Sequence, residues 1–156
     1  MSTVSMRRAF SLIELVIVVV IIGIIAAIAI PRMSRGATGA KESNLTANLR
    51  VLRNAIDLFQ TEHEGTYPTA ATIEAQLTTY TDISGADNAT KDATHIYGPY
   101  IRSIPPLPVG AKKGKTGIAA ADGASIGWIY DAATGTIKAN CIDAEVDSKG
   151  GKYNAY

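Results

Sequence analysis

Cysteine, histidine and charge are scarce in this chain of 156 residues, and each shortage excludes a class of function. The one cysteine, Cys141, excludes an internal disulfide and any zinc site built from several cysteines. Two histidines leave little for metal binding or acid–base chemistry. The formal net charge of +1 argues against nucleic acid as a partner, because phosphate binding needs a basic excess. The sequence also shows no nucleophile–base pair, no cleft of paired carboxylates and no metal cluster, so we predict that the protein is not an enzyme.

The hydrophobic residues are concentrated near the N-terminus. Of the 35 Val, Ile and Leu residues, 14 lie in residues 10–30, where only Ser11, Glu14 and Gly23 are not apolar. A helix of this length is about 31 Å long, enough to cross the core of a bilayer. The two arginines that precede the run predict a cytoplasmic N-terminus and an exported remainder. A buried helix in a soluble domain is the alternative, but a chain this small cannot cover it on all sides.

Two kinds of export signal fit this run. An ordinary secretory signal would be cut after the small-residue triplet at 27–29 and would release a secreted binding module. Glu14 argues against it, since a carboxylate in hydrocarbon costs about 2–3 kcal/mol. An ionisable residue within a membrane segment is expected to have a function and a partner, and the run itself contains no cation.

Residues 8–15, Arg-Ala-Phe-Ser-Leu-Ile-Glu-Leu, carry a resemblance to a known signal. With the apolar run and Pro31 behind them, they resemble the class III signal of type IV pilins and type II secretion pseudopilins. The resemblance implies that a prepilin peptidase cuts between Ala9 and Phe10 and that the new amine of Phe10 is N-methylated. The family prefers Gly before the cut, and Ala9 is the nearest small substitute.

The resemblance also supplies a partner for Glu14. In a filament, the carboxylate of Glu14 would face the Phe10 amine of a neighbouring subunit, while snorkelling to the membrane interface is the simpler alternative. Pro31 cannot donate a helical hydrogen bond and Gly23 weakens the helix, so a helix break is predicted at these positions. In the resembled family, the stretch between such positions can unwind in the filament.

Residues 32–60 continue the helix with an amphipathic pattern. Large apolar residues recur at steps of four and three, with Ala55 and Leu58 placed beside them, and charged residues fall elsewhere around the helix. Together with the resemblance, this pattern implies four parts. Residues 1–9 form a cleaved cytoplasmic leader, residues 10–31 a membrane and filament-core helix, residues 32–64 its amphipathic second half, and residues 65–156 a periplasmic head. The predicted apolar stripe is formed by Leu45, Leu49, Leu52, Ile56 and Phe59.

The sequence after this pattern predicts the parts of the head. Gly65 and Pro68 end the helix, and His63 between two glutamates reads as a solvated helix end rather than a metal site. A short helix with Ile73 and Leu77 facing inward is predicted between residues 69 and 80, followed by a polar surface loop over 81–95. Further along, short β-rich runs flank residues 132–135, which predicts a hairpin, and Trp128 is expected to anchor the core.

The predicted fold class is α+β, with a long N-terminal helix packed on a small antiparallel β-sheet head, as in pilins. A cofactor is not expected, although Asp143, Glu145 and Asp147 alternate near the C-terminus and are calcium candidates. The residue after Asp147 is Ser148 where the helix–loop–helix calcium motif has Gly. The resembled major pseudopilins bind calcium in the loop after the hairpin, whereas a solvated acidic tail is the simpler interpretation.

The resemblance implies a structural subunit of a type II secretion pseudopilus, most like the major pseudopilin. Its expected partners are the membrane, copies of itself, other pseudopilins, the prepilin peptidase and a secretion or pilus assembly platform. It would cross the bacterial inner membrane once, with its head in the periplasm. A type IV pilin acting in adhesion, motility or DNA uptake is the first alternative. Many such pilins carry a C-terminal disulfide loop, which the lone Cys141 cannot form.

Overall fold

A computed structural model of the chain describes residues 10–156, apart from the side chains of residues 29–35. The predictions on the leader, including Ala9, therefore lie outside the described residues. The chain divides into two compact units, Met1–Thr38 and Gly39–Tyr156.

The first element is a single α-helix, α1, which runs from Leu12 to Glu62 over 51 residues. The helix is continuous through Gly23 and Pro31, although the side chain of Pro31 is not among those described. A break between these positions therefore stays a prediction about the assembled state.

In the first unit, α1 exposes its apolar side chains on every side, and all positions from 10 to 25 are exposed. Within the described part of the chain, none of the helices combines the length and the sustained apolarity that a membrane crossing requires.

In the second unit, one stripe of α1 is buried. All the residues predicted to form the stripe are buried, and Ala55 is buried beside them. Leu58 differs from the prediction, because its side chain is 53% exposed. It follows Ile56 by two residues, about 200° around the helix, which places it on the opposite side. The buried stripe consists of Leu45, Leu49, Leu52, Ala55, Ile56 and Phe59.

The end of α1 is closed by a backbone motif. The amide of Gly65 donates to the carbonyl of Gln60 at 2.9 Å, the long-range bond of a Schellman cap. The left-handed residue before it is Glu64, with φ of +54°, and Gly65 follows at +83°. Gly65 thus takes part in the cap as predicted, but Glu64 holds the position that usually requires glycine.

His63, predicted to be solvated, is instead 2% exposed. Its ring stacks on Phe59 with centroids 3.7 Å apart. The Nδ1–H group donates to the Phe59 carbonyl at 2.8 Å, and Nε2 shares a 3.1 Å hydrogen bond with the Thr81 hydroxyl. The prediction failed because His63 continues the four-and-three spacing of the buried stripe, which outweighs its acidic neighbours.

A short helix and a two-stranded ladder follow α1. Helix α2 spans Ile73–Thr78 and buries Ile73 and Leu77, as the sequence predicts. Strands β1 (Tyr80–Thr81) and β2 (Asp87–Asn88) pair antiparallel. Apart from Tyr80, their residues lie in the segment 81–95 that was predicted to be a loop.

The main sheet has three strands in the order β3-β4-β5, namely Gly117–Ala119, Ile126–Asp131 and Thr136–Ala139. Strands β4 and β5 form the predicted antiparallel hairpin. Strand β3 runs parallel to β4, so this sheet is mixed rather than purely antiparallel. The α+β class with a long N-terminal helix is confirmed. A 3₁₀ turn, Tyr153–Ala155, ends the chain.

The hairpin, the connectors and α1 share one hydrophobic core. Trp128 is fully buried, as predicted, and its Nε1–H group donates to the carbonyl of Pro105 at 2.8 Å. The amide side chain of Asn48 on α1 donates to the next carbonyl, that of Pro106, at 3.0 Å. The proline-rich segment at residues 104–108 is therefore a packed connector that bonds to both the helix and the sheet.

Candidate processing and assembly site

The predicted cleavage position adjoins the start of α1. Phe10 and Ser11 precede the helix, and the side chain of Phe10 is 78% exposed. Ala9, on the other side of the predicted scissile bond, lies outside the described residues. The described half of the site is thus non-helical backbone with an accessible aromatic ring.

Glu14 folds back onto this helix start. Its Oε2 atom accepts a hydrogen bond from the backbone amide of Ser11 at 3.2 Å. The carbonyl of Ser11 accepts the first helical bond, from the amide of Leu15, also at 3.2 Å. Ser11 and Glu14 therefore stand at the N-cap and N3 positions, and the carboxylate acts as in a capping box.

The capping role of Glu14 was missed from the sequence, although the signal for it was present. A Ser followed three residues later by Glu, just before an apolar run, is the sequence signature of a capping box. A carboxylate in the first turn is also favoured by the positive end of the helix dipole. Glu14 thus has a partner within its own chain before any neighbouring subunit is considered.

The calcium candidates near the C-terminus each bond to protein donors. Asp143 accepts from Lys152 at 2.6 Å and from Asn154 at 2.9 Å. The carboxylate of Asp147 accepts from the amides of Lys149 and Gly151 and from a tyrosine hydroxyl. These hydrogen bonds lower the pKa of Asp143 and of Asp147.

Glu145 points elsewhere, since its two oxygens accept from the backbone amides of Ala111 and Ile142. The three acidic residues therefore do not converge on one point. Among the residues that the structure describes, no three His, Cys, Asp or Glu side chains are grouped as metal ligands. Calcium binding at these residues stays an alternative to the solvated acidic tail.

Cys141 is a free, half-buried thiol. Burial raises the pKa of this thiol to about 12, and the neighbouring carboxylate of Glu145 adds to the shift. The thiolate is the nucleophilic form of cysteine, so this environment keeps Cys141 unreactive at neutral pH.

Within the described residues, every buried side-chain nitrogen and oxygen atom has a hydrogen-bond partner. Unpaired buried polar groups often mark a ligand site, so the head gives no such indication of a bound molecule. The exposed apolar helix and its N-terminal cap are two features that can interact with other molecules.

Residues 4–30 match the family model described as the prokaryotic N-terminal methylation motif. This match confirms the signal that the sequence predicted, and it is consistent with a signal of the type IV pilin and pseudopilin families. The matched segment contains Phe10, Glu14 and Gly23 but ends before Pro31. Searches of the curated proteins and of the solved structures found no significant match to the chain.

Proposed function

We propose that this protein is a non-catalytic structural subunit that polymerises into a periplasmic pseudopilus of a type II secretion system. The observation that carries the proposal is the methylation motif at residues 4–30. This motif covers the start of a long helix, and the part of the helix in the first unit exposes its apolar side chains. Such a surface requires either lipid or other helices as a cover.

Processing would precede assembly. A prepilin peptidase would cut between Ala9 and Phe10, the amine of Phe10 would be methylated, and the apolar helix would be retained. The helix would anchor each subunit in the inner membrane, with its N-terminus in the cytoplasm and its head in the periplasm. The assembly platform and other pseudopilins would then add subunits to the filament.

Glu14 would set the register of neighbouring subunits. In the single chain its carboxylate caps the helix start at Ser11. In the filament it would face the Phe10 amine of a neighbour, an attraction of about 4 kcal/mol at about 4 Å and an effective dielectric constant near 20. Desolvation offsets much of this attraction, so the pair would select the register more than add stability.

A surface type IV pilus is the alternative assembly. The free thiol of Cys141 favours the pseudopilus, because many pilins close a C-terminal loop with a disulfide. Electron microscopy of cells separates the two, since a pseudopilus is confined to the periplasm and a pilus extends from the surface.

Mass spectrometry of the mature N-terminus tests the proposal. We expect a chain that begins at Phe10 and carries a methyl group on its α-amine. An N-terminus at Ile30 would instead show that an ordinary signal peptidase releases a secreted module, and it would end the proposal. A Phe10→Ala variant is a control for the assignment of the methylated residue.

A further inference from the structure

The loop that follows strand β2 contains a short motif that the proposed function does not use. Asn88, Ala89 and Thr90 form the triplet Asn-x-Thr, and the middle residue is not proline. This triplet is the acceptor of N-linked glycans, which are attached to the asparagine side chain on the surface of exported proteins. Because a motif of three residues also arises by chance, its conformation in the folded chain decides whether it can serve as an acceptor.

The triplet lies on the surface at the point where the chain leaves β2. Asn88 is the last residue of β2 and is half-buried, and all residues from 89 to 94 are exposed. The backbone amide of Thr90 donates to the side-chain oxygen of Asn88 at 3.5 Å, a long hydrogen bond that closes an Asx turn. The asparagine and the threonine are thus close together in a segment that a second protein can reach.

The amide group of Asn88 is held at both of its ends. Its oxygen accepts from Thr90, and its Nδ2 atom donates to the carboxylate of Asp92 at 3.0 Å. The backbone amides of His95 and Thr94 donate to Asp92 and hold the pKa of its carboxyl group well below the usual range. Asp92 is therefore an ionised acceptor at neutral pH. An ordered side chain loses less conformational entropy when an enzyme binds it.

A second triplet in the chain provides a contrast. Asn44, Leu45 and Thr46 lie within α1. A helix places residues two apart about 200° around its axis, so Asn44 and Thr46 cannot face one enzyme together. Leu45 is fully buried in the core, and the Thr46 hydroxyl donates to the carbonyl of Glu42 at 3.2 Å. This triplet is available only before the chain folds, whereas the triplet at Asn88 stays available afterwards.

We propose that Asn88 is a site of N-linked glycosylation. The donor is an oligosaccharide carried on a lipid pyrophosphate, and an oligosaccharide transferase catalyses the step. The Nδ2 atom of Asn88 forms a bond to the anomeric carbon of the first sugar. The bond from that carbon to the pyrophosphate oxygen breaks, and the lipid pyrophosphate leaves with the electron pair. Nδ2 loses one proton to a base of the transferase. The inference rests on the proposed function in one respect, which is that the head is exported.

Mass spectrometry of tryptic peptides from the protein, purified from the cells that produce it, tests the proposal. Trypsin separates the two triplets, because Asn44 lies between Lys41 and Arg50 and Asn88 lies between Arg53 and Lys91. We expect a sugar mass on the second peptide, localised to Asn88 by fragmentation that leaves the glycan attached, and none on the first.

Matched variants connect this mass to the triplet. Asn88→Gln and Thr90→Ala should each abolish the addition, because one removes the acceptor nitrogen and the other removes the hydroxyl that the motif requires. Thr90→Ser keeps a hydroxyl and should retain the glycan. Asn44→Gln should leave the glycan on Asn88 unchanged. An addition that survives in Thr90→Ala would contradict recognition of the triplet.

The same samples separate this inference from the proposed function. An unmodified Asn88 in a chain that begins at a methylated Phe10 would overturn the inference and leave the proposed function standing. A glycan on Asn44 alone would also overturn it, because the unfolded chain would then be the substrate. A chain that keeps residues 1–9 would contradict the proposed function, and in such a chain a glycan on Asn88 would still support the inference, whereas its absence would refute it.

Discussion

At the scale of single residues, the structure places two polar side chains where the sequence did not. His63 was predicted to be solvated because glutamates flank it, yet it extends the buried stripe of α1 by one more step of four. Cys141 had no predicted role, because the carboxylate that contacts it comes from a turn whose shape the sequence does not specify. The spacing of the stripe accounts for the burial of His63, whereas the environment of Cys141 follows only from the fold.

His63→Ala should lower the free energy of unfolding by about 2–3 kcal/mol. The variant loses the stack on Phe59 and leaves the Thr81 hydroxyl buried without its partner. Urea unfolding of the purified chain in detergent measures the change. Thr81→Val is the matched variant, since it removes the same hydrogen bond without opening a cavity and should cost about 1 kcal/mol. An unchanged midpoint for His63→Ala would contradict a structural role for the ring.

Cys141 should react slowly with iodoacetamide at pH 8. Burial and Glu145 raise the pKa of the thiol to about 12, so almost none of the thiolate is present until the pH is well above neutral. We expect labelling at least tenfold slower than in the urea-unfolded chain, with a rate that rises as the pH increases. Glu145→Gln removes the nearby negative charge and should lower the pKa and speed the reaction. Equal rates in the folded and unfolded chains would show that the thiol is not shielded.

At the scale of elements, local patterns predicted most of the head. The amphipathic stripe, α2 and the hairpin were all visible in the spacing of apolar residues and in the turn at 132–135. The parallel pairing of β3 was not, because parallel neighbours usually need a connection of a dozen residues and here only residues 120–125 intervene. The backbone amide of Ile118 donates a hydrogen bond to the side-chain carboxylate of Glu74 at 2.7 Å, which helps to hold β3 in place. That contact joins residues 44 positions apart, which no local pattern encodes.

Replacing Glu64 by Gly should stabilise the end of α1. Glu64 adopts a left-handed conformation, with φ of +54°, which is unfavourable for a residue with a Cβ atom. Glycine adopts it freely, so we expect a gain of about 0.5–1 kcal/mol in the free energy of unfolding. Glu64→Ala is the control, because it removes the same charge from the helix end but keeps the strained backbone. If the alanine variant gains as much as the glycine variant, the charge and not the conformation is responsible.

At the scale of the whole molecule, the chain combines two requirements in one helix. Its first unit exposes an apolar surface, and its second builds a core from one stripe while leaving the opposite face uncovered. The N-terminal signal and the α+β class could be read from the sequence, because each depends on residues close together in the chain. What covers the exposed surfaces depends on other molecules, so their occupants are inferred from the chemistry of these surfaces and not from local sequence patterns.

Two substitutions at Glu14 separate its capping role from its charge. Glutamine retains an oxygen that can accept from the Ser11 amide, as in other capping boxes, but it cannot attract the Phe10 amine of a neighbour. Alanine removes both interactions. If charge pairing directs assembly, Glu14→Gln and Glu14→Ala should both abolish filaments while the protein stays in the membrane, as measured by electron microscopy and membrane fractionation. If instead Glu14→Gln assembles normally and only Glu14→Ala fails, the cap is the required interaction and the pairing is wrong. Ser11→Pro is a further test, because it removes the capped amide while leaving the Glu14 charge, and under charge pairing it should still form filaments.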